Sequence, residues 1–216
     1  MALKAKKAIP RTGRPIREPG ELPTKDRILD AAIELFAEKG YAGTSVRRIA
    51  RTVGVSEGAL YRHFEGKEAI LDAVLDLFDE KIFAPMPAAE PSASLFRLLL
   101  GGLPAYLAAN PRVPKVGMIL MNEARINARI RTYLEVTLGE RANAAVTALF
   151  QSEIASGRLT CGDARALANL FNALRFGWIY RNYLLDGEVP VDRRNVKEDL
   201  EGIICVLEDK FCVRRN

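Results

Sequence analysis

Hydroxyl, cationic and small side chains follow one another between residues 44 and 67 of this 216-residue chain, an order suited to contact with a polyanion. The segment Gly54-Val55-Ser56 separates two short amphipathic stretches, and the second stretch presents Tyr61 and His63. Two short helices joined by such a turn form a helix-turn-helix, which places its second helix in the major groove of DNA. The residue types and their spacing therefore predict a DNA-reading module.

Local signals predict the helices that must position these side chains. Thr44 is placed to N-cap a helix whose apolar residues recur at three- and four-residue spacing, and Gly54 is placed to end that helix in a left-handed conformation. Ser56 is placed to cap the second helix, which has about two turns. Small residues near the start of this helix permit close approach to the major groove.

A longer helix is predicted on each side of this pair. The first runs from about residue 24 to 39 with an apolar stripe, and Gly40 ends it. The fourth begins at Gly66 or Lys67 and continues to about residue 82. Prolines stop it, and residues 86–91 are predicted to form a linker.

Residues 24–82 resemble the DNA-binding domain of the tetracycline-repressor (TetR) family of bacterial transcriptional regulators, a family that includes AcrR-like members. The resemblance rests on the first-helix sequence Lys25 to Tyr41 and on the motifs Thr44-Ser45-Val46, Gly54-Val55-Ser56, Leu60-Tyr61-Arg62-His63-Phe64 and Gly66-Lys67-Glu68.

The resemblance implies a role for each matched position. Tyr61, His63 and Lys67 would contact phosphates, and Thr44 and Arg47 would lie at the DNA backbone or the groove edge. Many relatives carry Thr or Ser where this chain has Ala59, so a hydroxyl contact is missing here, although the Ala59 methyl could touch a thymine methyl. The expected DNA-binding residues of this module are Thr44, Ser45, Arg47, Ser56, Glu57, Gly58, Ala59, Tyr61, Arg62, His63 and Lys67.

The net positive charge of the chain is concentrated before this module. Residues 1–27 hold eight basic and three acidic residues, an excess of five that equals the net charge of +5 of the whole chain. Because residues 1–23 are rich in proline and nearly lack large apolar side chains, they are predicted to form a disordered arm. Gly13-Arg14-Pro15 resembles the core of AT-hook peptides, so Arg14 is expected to reach an A·T minor groove. A solubilising tail is the alternative.

After residue 91 every periodic segment is helical. Asp163 and Asp192 are predicted N-caps, and Gly157 and Gly187 are predicted helix stops. The expected fold class is all-α, with an N-terminal helix-turn-helix domain joined by the fourth helix to a helical ligand-binding and dimerisation domain. The predicted C-terminal helices span residues 92–109, 112–125, 127–157, 163–186 and 192–211, and the predicted arm and two domains span residues 1–23, 24–84 and 85–216.

The last two helices carry long apolar stripes. In the family resembled, the corresponding helices pack against their copy in a second subunit, which implies a homodimer through the last two helices. A monomer would present only one recognition helix, although a purely intramolecular core is the alternative. The stripes consist of Leu167, Leu170, Phe171, Leu174, Trp178, Ile179, Val196, Leu200, Ile203, Ile204, Leu207 and Phe211.

The resemblance also implies a pocket in the C-terminal domain for an unknown small-molecule effector, whose binding changes the spacing of the two recognition helices. A buried arginine there needs an anion, which Glu123, Glu135 or a ligand carboxylate would supply. For each candidate, core packing or surface exposure is the alternative. The candidates combine apolar bulk with a few polar groups, and they are Tyr106, Met118, Met121, Asn122, Arg125, Phe171, Arg175 and Trp178.

The sequence shows no arrangement typical of an enzyme, so no catalytic residue, metal or cofactor is expected. The single histidine, His63, lies within the helix-turn-helix, and no glycine-rich phosphate loop or nucleophile elbow is found. Cys161, Cys205 and Cys212 lack the paired spacing of a zinc site or a disulfide framework. No apolar run has the length of a membrane span and no signal peptide is found, which favours a cytoplasmic protein without membrane contact.

These observations predict a sequence-specific DNA-binding transcriptional regulator, a repressor that a small molecule releases from its double-stranded DNA operator. The alternative is an architectural or nucleoid-associated DNA binder that uses the same module without a ligand. Sequence-specific footprints would favour the regulator, whereas broad, salt-sensitive coating of DNA would favour the alternative.

Overall fold

The computed structural model describes residues 22–83, 94–184 and 194–213. Arg14, most of the predicted arm, the predicted cap Asp192 and the predicted stop Gly187 lie outside these residues. Within the described ranges every regular element is a helix, which confirms the all-α prediction. None of these helices is long and apolar enough to cross a membrane.

Four helices form the N-terminal domain: α1 (Thr24–Lys39), α2 (Val46–Val53), α3 (Glu57–Tyr61) and α4 (Lys67–Ile82). The first ends at Gly40, whose φ of 73° is a conformation that glycine adopts without strain. The bounds of α1 and α4 agree with those predicted from the sequence.

The apolar stripes of these helices meet in one core. Ile28, Ile49, Leu60 and Ile70 each have an exposed fraction of 0%. Burial of an aliphatic side chain of this size contributes about 1.5–3 kcal/mol. Because Leu60 belongs to α3, the core anchors this short helix against the longer ones. The outward side of α3 is thereby held in a fixed orientation.

The N-cap of α2 differs from the prediction. The cap is Ser45 rather than Thr44, and the Ser45 hydroxyl accepts a hydrogen bond from the backbone N–H of Arg48 at 3.2 Å. The buried Thr44 hydroxyl instead contacts the carbonyl oxygens of Leu35 at 3.2 Å and Gly40 at 2.9 Å. The Thr44 hydroxyl therefore lies against the C-terminal end of α1 and does not cap α2.

The turn between α2 and α3 follows the prediction. Gly54 has φ 76° and ψ 31°, the left-handed conformation expected of a glycine that ends a helix. Ser56 is the N-cap of α3, and its hydroxyl accepts a hydrogen bond from the backbone N–H of Ala59 at 3.1 Å. The helix-turn-helix geometry is thus set by local signals in the sequence.

Helices also make up the described part of the C-terminal domain. The predicted helix 92–109 is divided at Gly102, because Pro104 has no N–H with which to continue the helical hydrogen bonds. Asp163 caps its helix as predicted. The elements are α5 (Leu95–Gly101), α6 (Leu103–Ala109), α7 (Arg112–Glu123), α8 (Ala128–Leu134), a π-helical segment (Glu135–Arg141), α9 (Ala142–Ala155), α10 (Ala164–Ile179), a second π-helical segment (Tyr180–Leu184) and α11 (Arg194–Phe211).

An aromatic cluster forms the core of this domain. The rings of Phe96, Phe150 and Phe171 lie with centroids 5.5 to 6.4 Å apart. The stripes predicted for contact between subunits are largely used here, inside one protomer, which corrects their assignment to the dimer interface. The stripe residues buried in the protomer core are Leu167, Phe171, Trp178, Val196, Leu200, Ile204 and Leu207.

Ion pairs join the two domains along α1 and α4. Because most of these side chains are partly exposed, each pair contributes at most about 1 kcal/mol. Their value lies in fixing the orientation of one domain on the other. The pairs are Arg112 with Asp30 at 2.5 Å, Lys115 with Glu34 at 2.6 Å, Arg141 with Asp79 at 2.8 Å, and Arg129 with Asp72.

Candidate DNA-binding site

The solvent side of α3 and of the residues that flank it carries six of the residues predicted to contact DNA. Leu60 is fully buried beneath the helix, so α3 has one side in the core and one side in solvent. Tyr61 has 51% of its surface exposed. Its hydroxyl has no hydrogen-bond partner among the described residues. The exposed residues of this segment are Ser56, Glu57, Gly58, Tyr61, Arg62 and His63.

The start of α3 is free of bulky side chains. A β-carbon added to Gly58 would meet no atom within 4 Å, so the fold does not require glycine at this position. Ala59 is half-buried and contributes only a methyl group. The backbone of α3 is therefore accessible to a partner at close range.

The exposed side of α2 adds a cationic face. Arg47 forms an ion pair with Glu57 of α3, Nε to Oε1, at 3.6 Å, and their side chains are 85% and 49% exposed. A pair so exposed contributes little, so Arg47 is free to exchange it for a contact to DNA. Arg48 and Arg51 are also exposed on α2, and sequence reasoning did not include them. The available signal was the spacing of Arg51, which follows Arg47 by four residues and Arg48 by three.

Thr44 does not belong to this surface. Its exposed fraction is 2%, and its hydroxyl is committed to the carbonyl groups of α1. The predicted DNA contact of Thr44 therefore conflicts with its position in the interior. Its neighbour Ser45 is exposed beside it at the start of α2.

Lys67 lies at the first turn of α4, where its ammonium group is held by the loop between α1 and α2. Its Nζ donates a hydrogen bond to the carbonyl oxygen of Tyr41 at 3.0 Å and lies 4.2 Å from the centroid of the Tyr41 ring. Burial raises the pKa of the Tyr41 phenol, so the ring stays neutral and favours the cation over its face. Lys67 is thus positioned rather than mobile, and it remains partly exposed.

The candidate ligand residues are distributed over several environments. Phe171 and Trp178 are buried, and the guanidinium carbon of Arg175 lies 6.0 Å from the Phe171 ring centroid. Tyr106 donates its hydroxyl to the carbonyl oxygen of Lys81. Met118 and Met121 are half-buried, whereas Asn122 and Arg125 are exposed, so Arg125 needs no buried anion.

An open groove of about 410 Å³ lies elsewhere, between the end of α9 and the start of α10. None of the candidate ligand residues lines it. Its walls are formed by Gln151, Ile154, Ala155, Cys161, Gly162, Asp163, Ala164 and Arg165.

Comparison with known proteins locates a strong match in the N-terminal domain. Residues 28–74 match the family model described as bacterial regulatory proteins, tetR family. Over 45 residues the chain is 51% identical to YerO of Bacillus subtilis strain 168, described as an uncharacterized HTH-type transcriptional regulator. Over 45 residues it is 49% identical to IcaR of Staphylococcus aureus strain Newman, a negative transcriptional regulator of the biofilm operon icaADBC. These matches cover 21% of this chain and only 16% and 24% of the two relatives.

Solved structures resemble the whole fold. Salmonella enterica GusR has a TM-score of 0.66 at 24% identity, with 88% of this chain and 97% of that chain covered. A TetR family regulator from Pseudomonas syringae has a TM-score of 0.69 at 18% identity, covering 89% and 98%. A TerR/AcrR family regulator from Aquifex aeolicus VF5 has a TM-score of 0.66 at 25% identity, covering 85% and 99%. Residues 28–74 therefore belong to the tetR family of bacterial regulatory proteins, and the chain as a whole has the fold of solved regulators of that family.

Proposed function

We propose that this protein is a transcriptional repressor that binds a pseudo-palindromic DNA operator as a homodimer and leaves it when a small molecule binds the C-terminal domain. The observation that carries the proposal is the helix-turn-helix itself, whose α2 and α3 present hydroxyl, cationic and small residues to solvent. The description of IcaR as a negative regulator supports repression rather than activation.

The geometry supports a division of roles within the helix-turn-helix. Gly58 and Ala59 allow the backbone of α3 to approach base edges, and the Ala59 methyl suits a thymine methyl. Tyr61 and His63 project from the end of this segment, where hydrogen bonds to phosphate would fix its register. Arg47, opposite Glu57, is placed to reach a base edge.

We propose that a second copy of the chain packs against the exposed apolar side chains of α10, of the π-helical segment that follows it and of α11. Leu170, Phe176 and Tyr180 are 45%, 39% and 44% exposed, and Val206 of α11 is 70% exposed. The rings of Phe176 and of Tyr180, the first residue of the second π-helical segment, stack with centroids 6.2 Å apart and expose an aromatic pair to solvent. Pairing two copies supplies the two recognition helices that a pseudo-palindromic operator requires, about 34–36 Å apart.

A buried carboxylate supports communication between the two domains. Glu123, at the end of α7, is 7% exposed, and its Oε1 accepts a hydrogen bond from the backbone N–H of Tyr41 at 2.8 Å. The carbonyl group of the same Tyr41 accepts the hydrogen bond from Lys67. Movement of α7 would therefore displace the loop that precedes α2 and, with it, the ammonium group proposed to contact phosphate.

We expect Glu123→Ala to lower the free energy of unfolding by about 1–3 kcal/mol, because the partly buried N–H of Tyr41 loses a charged acceptor. The measurement is urea unfolding followed by circular dichroism. Glu123→Gln keeps an oxygen acceptor and should be the milder change. Glu135→Ala, which removes an exposed glutamate, is the matched control and should stay within about 0.5 kcal/mol of the unmodified protein. Equal effects of Glu123→Ala and Glu135→Ala would contradict a structural role for the Glu123 contact.

Selection of binding sites from random DNA tests the proposed function directly. The expected product is an inverted repeat that the protein binds about a thousandfold or more tightly than random DNA of the same length, at one salt concentration. Uniform affinity for all sequences, with steep salt dependence, would instead support an architectural DNA binder.

A further inference from the structure

Arg175 lies on the inward side of α10, in the C-terminal domain. Phe171 precedes it by four residues and Trp178 follows it by three, so the three side chains share one face of the helix. Phe171 and Trp178 are 0% and 5% exposed. The cationic side chain of Arg175 therefore lies on the same helix face as these buried aromatic side chains.

The Arg175 guanidinium has no carboxylate partner in the part of the chain that the structure describes; its recorded neighbour is the Phe171 ring. Arg175 is half-buried, and burial lowers the pKa of its side chain without an offsetting charge among the described residues. Arg125, Arg131 and Arg165 of the same domain also lack an acidic partner among the described residues, but they are exposed. Six other arginines of the domain pair with acidic side chains: Arg97, Arg112, Arg129, Arg141, Arg158 and Arg181.

A second polar group near Arg175 also lacks a partner. The indole Nε1 of Trp178 is buried and donates to no acceptor within the described residues, although a buried polar group of this kind is nearly always hydrogen-bonded. One turn before Arg175, the buried Oδ1 of Asn172 is likewise without a donor. Arg175 and Trp178 thus carry two donors on adjacent turns, one of them cationic, and neither is bound to an acceptor among the described residues.

We propose that Arg175 and the Trp178 indole N–H bind the carboxylate of a small, largely apolar organic acid. A planar guanidinium and one neutral donor suit a monoanion, since a guanidinium accepts both carboxylate oxygens. The guanidinium lies against the buried Phe171 ring, so the body of the acid would enter an apolar environment. The regulatory consequence rests on the proposed function, because the acid would then be the effector that releases DNA.

The chain contains one tryptophan, so its intrinsic fluorescence reports on this site alone. The probes are benzoate and octanoate, each compared with its neutral amide. We expect the acids to shift the Trp178 emission in a saturable manner and to raise the melting temperature, with the amides at least tenfold weaker. Arg175→Met should weaken acid binding about ten- to a hundredfold, because a hydrogen bond to a charged group is lost. Arg165→Met, an exposed arginine on the same helix, should bind as the unmodified protein does.

A measurement without ligand tests the same site independently. Since Arg175 is desolvated and unpaired, Arg175→Met should raise the melting temperature of the free protein by about 2–4 °C. A fall of that size would show that the fold uses the charge, and it would overturn the proposal. Failure of both acids to perturb Trp178 emission would overturn it as well.

Operator binding separates this proposal from the proposed function. Acids that bind through Arg175 but leave operator affinity unchanged would support the site and contradict release of DNA by the acid. Specific operator binding together with the absence of any Arg175-dependent acid binding would retain the regulator and remove the site.

Discussion

Leu170→Arg is expected to produce folded monomers whose operator affinity falls about a thousandfold or more, toward the level of non-specific binding. Leu170 is 45% exposed on α10, so the free protomer tolerates an arginine there. In a dimer packed through this face the same arginine would be buried without a partner, which opposes association. Sedimentation equilibrium and gel-shift titration at fixed salt measure the two effects.

Two further variants make the dimer test specific. Ile126→Arg replaces a side chain that is 78% exposed in the segment between α7 and α8, away from the proposed interface, and should leave both dimer and affinity intact. Leu200→Arg replaces a side chain that is 3% exposed in the protomer core, and it should unfold the chain rather than yield monomers. The proposed interface would be refuted by folded Leu170→Arg monomers that bind the full operator as tightly as the unmodified protein.

Arg47→Ala is expected to weaken operator binding by about 1–3 kcal/mol while barely changing the affinity for random DNA, because a base contact carries sequence information. Tyr61→Phe removes only an exposed hydroxyl and should weaken binding to both DNAs by similar factors, as expected for a phosphate contact. The measurement is the ratio of operator to random-DNA affinity at one salt concentration. Arg165→Ala, on an exposed arginine of α10, is the control.

Lys67 is less suited to this comparison than the sequence suggests. Because its ammonium group also bonds to the Tyr41 carbonyl and lies over the Tyr41 ring, Lys67→Ala would disturb the fold as well as the proposed phosphate contact. The assignment of roles would be reversed if Tyr61→Phe erased discrimination between operator and random DNA and Arg47→Ala left it unchanged.

The sequence by itself determined the features that depend on neighbouring residues. Gly40 and Gly54 adopt the positive φ angles expected of helix-ending glycines, and Ser56 caps α3. The stripe of α1 predicted its buried face, since helical spacing places those side chains on one side. Such signals act within one or two helical turns, so they can be recognised without knowledge of the fold.

Choices between similar local candidates were decided by the tertiary structure. Thr44 and Ser45 both carry a hydroxyl suited to capping α2, and contact with the end of α1 drew Thr44 into the interior. The apolar stripes of α10 and α11 indicated burial but not the surface that covers them. The aromatic core around Phe96 covers Phe171 and leaves Leu170 exposed on the outer side, where we propose that a second subunit packs.

The contact between Glu123 and Tyr41 joins residues 82 positions apart, and no local pattern encodes it. The lack of a partner for Arg175 is likewise a property of every element packed around α10, so the sequence could only pose the question of its anion. Local hydrogen-bonding and steric rules therefore fixed the helix-turn-helix. The connection between the domains and the candidate acid site arose from long-range packing, which places side chains that the sequence separates.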